Sequence, residues 1–78
     1  MRRYGPYIGE QERLDKMFTY HPPKDDQAER YNEIRGGAKA LAAVILALTP
    51  FSEEQNTALE KLSEVMFWAN AAIARNEQ

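Results

Sequence analysis

Apolar residues recur at helical spacing along two long stretches of this 78-residue chain. In the first stretch they follow at intervals of three and four residues, which is the period of one face of an α-helix. They are Tyr31, Ile34, Ala38, Leu41, Ile45 and Leu48. In the second stretch the same intervals connect Leu59, Leu62, Met66, Ala69 and Ile73. The pattern therefore predicts two long amphipathic helices, the first over residues 27–48.

Residues near the predicted helix ends support these boundaries. Asp25 or Asp26 is suited to cap the first helix, and Glu29 lies at the position that a capping box requires. Pro50 ends the first helix, and Ser52 is suited to cap the second. Because only a short turn separates the two helices, they are predicted to form an antiparallel αα-hairpin.

The N-terminal part of the chain has a different composition. Residues 1–24 contain three of the four prolines and two of the four glycines, so most of this part is predicted to be irregular. A short amphipathic helix is predicted over residues 10–18, followed by an extended arm, because each proline disfavours the helical conformation in the residue before it.

The composition indicates how such a short chain reaches stability. A single core of this size supplies only about 3–5 kcal/mol. The chain has no cysteine and one histidine, which excludes disulfides and a zinc site built from Cys or His within one chain. Phe67 and Trp68 are adjacent, so both cannot face the same partner helix. The predicted fold is therefore all-α: a long antiparallel hairpin with an arm and a short helix, assembling into a homo-oligomeric helical bundle.

Charge and hydropathy exclude several classes of function. The net charge is −2, which argues against a general binder of duplex DNA. Eight of the ten basic residues lie in residues 1–39, and such local basic spots suit a compact anionic ligand. The longest apolar run, residues 40–48, is far shorter than the roughly 20 residues of a membrane span. No apolar segment of a secretion signal follows Arg2 and Arg3, so we expect a cytoplasmic protein.

Two motifs are candidates for ligand binding. Gly36 and Gly37 lie inside the first long helix, between Arg35 and Lys39. They favour either close helix packing or a bare patch that a ligand phosphate approaches. In the second motif, residues 20–24 (YHPPK), an aromatic ring, two rigid prolines and a lysine suit a stacked base and a phosphate. The alternative for these residues is a surface arm held over the hairpin by its aromatic side chains.

No constellation for catalysis or metal binding is apparent. His21 lacks a nucleophile or a partner histidine, and is interpreted as a structural residue. The carboxylates lack the Glu-x-x-His pairs of a di-metal bundle, so we interpret them as solvated helix faces. We predict no enzyme activity, no cofactor and no metal site.

Three segments resemble a known family. They are residues 18–24 (FTYHPPK), residues 27–31 (QAERY) with the following Ile34 and Arg35, and residues 67–77 (FWANAAIARNE). Together they resemble the phage-encoded anti-CBASS cyclic-oligonucleotide sponges. The resemblance covers about residues 18–77, which implies an N-terminal extension, residues 1–17, and a helical domain, residues 18–78. This resemblance implies a helical homohexamer, in the cytoplasm of the infected bacterial host, that catalyses nothing. It also implies binding of cyclic dinucleotides of the 3′,3′-cGAMP type and cyclic trinucleotides of the cyclic tri-adenylate type, which keeps them from the host effector.

The resemblance also implies two separate sites. The cyclic-dinucleotide site between protomers is expected to use Tyr20 and Arg35, with Lys24 as a supplement. The cyclic-trinucleotide site on a three-fold axis is expected to use Gly37, Ala38 and Arg75. Two other functions are weighed against this one. A helical protein–protein interaction module would use Phe67 or Trp68 and bind no nucleotide, whereas a phosphodiesterase would need metal ligands that the spacing does not provide.

Overall fold

The two predicted long helices are present with the predicted boundaries. A computed structural model describes residues 8–77, and within this range the chain forms three helices and no strand. They are α1 (Ile8–Phe18), α2 (Gln27–Leu48) and α3 (Glu53–Asn76). Helices α2 and α3 pack against each other as a hairpin, and α1 packs against α3. The all-helical hairpin is therefore confirmed. Residues 1–7 of the predicted extension lie outside the described range, and the division at residue 17 stays a prediction.

Ser52 caps α3 as predicted. Its hydroxyl accepts a hydrogen bond from the Gln55 N–H at 3.0 Å, which satisfies one of the free donors of the first helical turn. The Gln55 side chain is 6% exposed and donates to both the carbonyl and the hydroxyl of Thr49, each at 3.0 Å. These bonds join residues close in sequence, so they fix the turn between α2 and α3 locally.

The predicted side-chain cap of α2 is wrong. Asp26 does occupy the N-cap position, but its side chain caps no backbone N–H, and its backbone lies outside the extended region that a capping residue adopts. Its carboxylate instead accepts a hydrogen bond from Arg30 Nε at 3.1 Å. Asp25, the other candidate, takes the left-handed conformation with φ of 52°, which short Asp side chains tolerate in turns. The Gln27 side-chain carbonyl accepts a hydrogen bond from the Lys24 N–H at 3.0 Å, which ties the preceding segment to the first residue of α2.

The N-terminal helix is longer than predicted. It covers 11 residues and begins at Ile8 rather than at residue 10. The arm, residues 19–24, is not helical, as its two X-Pro bonds predict. The Thr19 N–H still bonds to the Asp15 carbonyl at 3.0 Å, so the arm leaves directly from the last turn of α1.

A single chain buries little apolar surface. Ile73, 9% exposed, is the only buried apolar side chain among residues 9–77. The radius of gyration is 17.5 Å, compared with roughly 11–12 Å for a compact domain of this length. Many large apolar side chains of the hairpin are exposed: Leu41, Val44, Leu46, Leu48, Phe51, Val65, Phe67 and Trp68. As expected, Phe67 and Trp68 do not both pack against the partner helix, and both are exposed.

Candidate functional site

A buried glutamine joins the two ends of the hairpin. We call the place where α2 begins and α3 ends the open end. There the Gln27 side chain is 5% exposed, and its Nε2 donates to the Glu77 main-chain carbonyl at 3.2 Å. A second, longer contact reaches Glu77 Oε1 at 3.4 Å. The same side chain binds the arm through the Lys24 N–H. Gln27 therefore ties the arm, α2 and the end of α3 together.

An ion pair reinforces this junction. Arg30 Nη1 donates to Glu77 Oε2 at 2.9 Å, and Arg30 Nη2 donates to Glu77 Oε1. This two-point contact, with a smaller contribution from the Gln27 hydrogen bond, lowers the pKa of Glu77 to about 2. Partial desolvation of the Glu77 carboxylate acts in the opposite direction and raises its pKa. The hydrogen bond to Glu77 likewise raises the pKa of Arg30. These contacts join residues that lie 50 and 47 positions apart in the sequence. They fix the position of the last turn of α3, which contains Arg75.

The arm, α1 and the end of α3 border a cavity that is open to solvent. The cavity has a volume of about 290 Å³. The ring of Tyr20 lines it and is 81% exposed. Arg75 lines it from α3, Lys16 from α1 and Tyr31 from α2. We call this space the arm cavity.

The arm cavity is aromatic and basic. Lys16 and Arg75 carry positive charge, Tyr20, His21 and Tyr31 provide rings, and no carboxylate lines it among the described residues. The Arg75 guanidinium lies over the Trp68 ring, 5.9 Å from the ring centroid, within the range of a cation–π contact. An exposed ring beside fixed cations suits an anionic ligand with a planar group.

A second cavity adjoins the arm cavity on its other side. It has a volume of about 250 Å³, and Lys24 lines it together with Gln27 and Glu77. His21, Pro23 and Tyr31 line both cavities. The aromatic part of the arm therefore separates two neighbouring spaces, with Lys24 at one and Arg75 at the other.

The remaining predicted residues lie along the middle of the hairpin. Arg35 and Ala38 line a groove of about 360 Å³ between α2 and α3, whose other walls include Leu46, Leu62 and Met66. Arg35 Nη1 donates to Asn32 Oδ1 at 3.1 Å. Gly37 is exposed, with open space within 4 Å of the place where a Cβ would stand. Packing within one chain therefore does not explain this glycine.

The structure groups the predicted residues differently from the sequence. Tyr20 and Arg75, which were predicted for different sites, line one cavity. Tyr20 and Arg35, which were predicted for the same site, line separate spaces of one chain. Sequence reasoning missed Lys16 and Tyr31 as neighbours of Tyr20. In the sequence, Tyr31 is recognisable only as part of the apolar face of the first long helix. No local pattern marks Lys16, because its position near Tyr20 depends on how α1 packs on α3.

Within residues 8–77, no group of three or more His, Cys, Asp or Glu side chains is positioned to hold a metal ion. None of the helices in this range combines the length and the hydropathy that crossing a bilayer requires.

Comparison with known proteins gives a family. No curated protein and no solved structure matches the chain significantly. The family model described as "Acb2/Tad1, hairpin domain" matches residues 10–74, which include α2, nearly all of α3 and most of α1. The match covers the arm and most of the hairpin, ends one residue before Arg75, and extends into the predicted N-terminal extension. The chain belongs to the Acb2/Tad1 hairpin-domain family.

Proposed function

We propose that this protein binds cyclic di- and trinucleotide messengers and sequesters them without cleaving them. In the cytoplasm of an infected bacterium, this would keep the messengers from the CBASS effector that they activate. Membership of the Acb2/Tad1 hairpin family supports this class of function. The single observation that carries the proposal is the arm cavity, in which an exposed tyrosine ring lies beside Arg75.

Sequestration requires little from the protein beyond such a cavity. A cyclic nucleotide offers phosphates to cations and base faces to aromatic rings. It needs no nucleophile or general base, because no bond is broken. The rigid junction of Gln27, Arg30 and Glu77 holds the cavity walls in place before a ligand arrives, and such preorganisation lowers the entropy cost of binding.

The volume of the arm cavity suggests how a cyclic dinucleotide is bound. At about 290 Å³ it lies at the lower limit of the roughly 300–1,000 Å³ of small-molecule sites. One cavity thus suits one nucleotide unit rather than the whole ring. A cyclic dinucleotide has two phosphates and approximate two-fold symmetry, so two copies of the arm related by a dyad match it. We assign Tyr20, Lys24 and Arg35 to this site, with Arg35 contributed across the protomer boundary.

For the cyclic trinucleotide we propose Gly37, Ala38 and Arg75. Gly37 presents bare helix to solvent, so a phosphate or another backbone approaches α2 closely there. Three copies of Arg75 around a three-fold axis match the three phosphates of the ligand. Because Arg75 also lines the arm cavity, the two proposed sites are neighbours.

Both sites require several copies of the chain, and we propose a homohexamer. The exposed apolar side chains of the hairpin support self-association, since soluble monomers rarely expose large contiguous apolar patches. The exposed Phe67 and Trp68 also favour a second candidate function, an interaction module that binds another protein. A stable monomer that ignores cyclic nucleotides would support that second candidate.

Titration calorimetry tests the dinucleotide site. Tyr20→Ala is expected to weaken binding of 3′,3′-cyclic GMP–AMP by about 5- to 150-fold, because base stacking on an aromatic ring contributes about 1–3 kcal/mol. Tyr20→Phe keeps the ring and is expected to retain most of the affinity. Phe51→Ala, which removes an exposed ring at the opposite end of the hairpin, is the matched control. Unchanged binding by Tyr20→Ala would remove the assigned site.

Recovery of the ligand separates storage from cleavage. The complex is denatured by heat and the released nucleotide is identified by chromatography. Intact cyclic nucleotide is expected. A linear product would contradict sequestration and point to a phosphodiesterase.

A further inference from the structure

We propose that Lys16 of α1 is an additional phosphate-binding residue of the arm cavity, acting beside Tyr20 on the cyclic dinucleotide. This inference rests on the proposed function, and it assigns a ligand-binding role to the N-terminal helix. Most of α1 lies in the predicted extension, residues 1–17, for which the sequence predicts no ligand-binding role.

The first support is the position of Lys16. It lines the arm cavity with Arg75 and Tyr20. It also lines a neighbouring space, again with Arg75, to which Glu12 and Arg13 contribute. Met17 lines both spaces. The last turn of α1 therefore forms one wall of both spaces, and the end of α3 forms another.

The second support is charge. Lys16 takes part in no ion pair among the described residues, and no described carboxylate lines the arm cavity with it. The Lys16 ammonium thus borders a space of about 290 Å³ whose described lining also contains Tyr20 and Arg75 and no carboxylate. An anion in this space is attracted by the Lys16 charge.

A purely structural role for Lys16 is the competing explanation. Lys16 is the basic residue in the last turn of α1, where a cation interacts favourably with the negative end of the helix dipole. That role alters the helix content of α1 but not the salt dependence of ligand binding. A phosphate contact alters the salt dependence, because ions screen a charge–charge interaction.

The test compares Lys16→Gln and Lys16→Arg with the wild type in the full-length chain. Gln has a helix propensity close to that of Lys, and Arg keeps the charge. Lys61→Gln is the matched control, because Lys61 is exposed on α3 and pairs with Glu64 at 3.7 Å. Titration calorimetry with 3′,3′-cyclic GMP–AMP is performed at about 50 mM and 300 mM salt, with circular dichroism and native mass of each variant.

We expect Lys16→Gln to weaken binding about tenfold at low salt, the effect of losing one charge-assisted hydrogen bond. The salt dependence of its affinity is expected to be shallower than that of the wild type, whereas Lys16→Arg and Lys61→Gln retain both properties. Equal affinity and equal salt dependence in wild type and Lys16→Gln would overturn the role of Lys16 alone. A loss of affinity accompanied by lower helix content and unchanged salt dependence would also overturn it. A wild type that binds no cyclic nucleotide would instead overturn the proposed function itself.

Discussion

The open end of the hairpin and its middle part are stabilised in different ways. At the open end, the polar groups find their partners within one chain: Gln27 and Arg30 both bind Glu77, and Gln27 is buried. In the middle, which we call the shaft (residues 35–48 and 53–68), large apolar side chains such as Leu46 and Val65 are exposed. One region pairs its polar groups within a single chain, whereas the other leaves large apolar side chains exposed.

This difference separates two tasks. The open end shapes the walls of the arm cavity from α1, the arm, α2 and α3 without help from a second chain. The exposed apolar side chains of the shaft supply the surface through which copies would associate, and association would bring several cavities around one ligand. Changes to these apolar side chains should therefore affect assembly first, and changes at the open end should affect the cavity first.

A charge in the shaft should have the largest effect. Leu46 is 55% exposed and lines the apolar groove between α2 and α3. Leu46→Asp removes about 1.5–3 kcal/mol of apolar burial per chain and adds the desolvation of a carboxylate at the interface. We expect loss of the oligomer in native mass spectrometry, and loss of tight nucleotide binding with it.

The control for this variant is Asn56→Asp, which adds the same charge at an exposed position in the first turn of α3, where the helix dipole favours an anion. It should leave the assembly unchanged. A Leu46→Asp protein that stays oligomeric at wild-type concentrations would show that the shaft is not the contact surface.

Removal of the buried glutamine at the open end should have a smaller effect. Gln27→Ala deletes the hydrogen bonds to Glu77 and to the Lys24 N–H. We expect the free energy of unfolding in urea, at fixed chain concentration, to fall by about 1–3 kcal/mol. Nucleotide affinity should fall as well, because the arm and the end of α3 lose their common anchor.

Gln55→Ala is the matched comparison at the turn. Gln55 is also a buried glutamine with two side-chain hydrogen bonds, but it lies at the end of the hairpin remote from the arm. It should lower stability by a similar amount and leave affinity unchanged. Equal losses of affinity in the two variants would mean that general loosening of the hairpin, rather than the open-end junction, controls binding.

Lowering the pH should also destabilise the open end, and this effect should be smaller than those of Leu46→Asp and Gln27→Ala. The pKa of Glu77 is lowered from 4.5 to about 2 by its hydrogen bonds with Arg30. A carboxylate whose pKa is lower in the folded state stabilises the fold above its unfolded-state pKa, and this contribution is lost as pH falls through the folded value. The difference in melting temperature between wild type and Glu77→Gln should therefore be constant from pH 7 to about 5 and shrink from about pH 4.5 towards 2. A difference that is independent of pH over this range would contradict the assigned role of Arg30.

The sequence predicted the features that depend on local spacing. Both long helices, the turn and the Ser52 cap are determined by apolar periodicity and by residues at most a few positions apart, and all are confirmed. The Asp26 cap failed although the local pattern was correct, because Arg30 competes for the same carboxylate. Arg30 is itself oriented by Glu77, 47 residues away.

The candidate site was predicted only in its parts. Residue type identified Tyr20 and Arg75 as candidates, but their meeting in one cavity depends on the register of α2 against α3 and on the path of the arm. The contribution of Lys16 depends on the packing of α1 on α3, which no repeating pattern encodes. Long-range register is therefore what the sequence alone did not determine.

Native mass spectrometry of the full chain, alone and with 3′,3′-cyclic GMP–AMP, tests the central proposal most directly. If several copies of the chain complete each site, we expect a hexamer of six 9.0 kDa chains, with a mass of about 54 kDa. One dinucleotide for every two chains is expected, which gives three per hexamer. A solitary 9.0 kDa chain that binds one ligand by itself, or an assembly that binds none, would contradict the account.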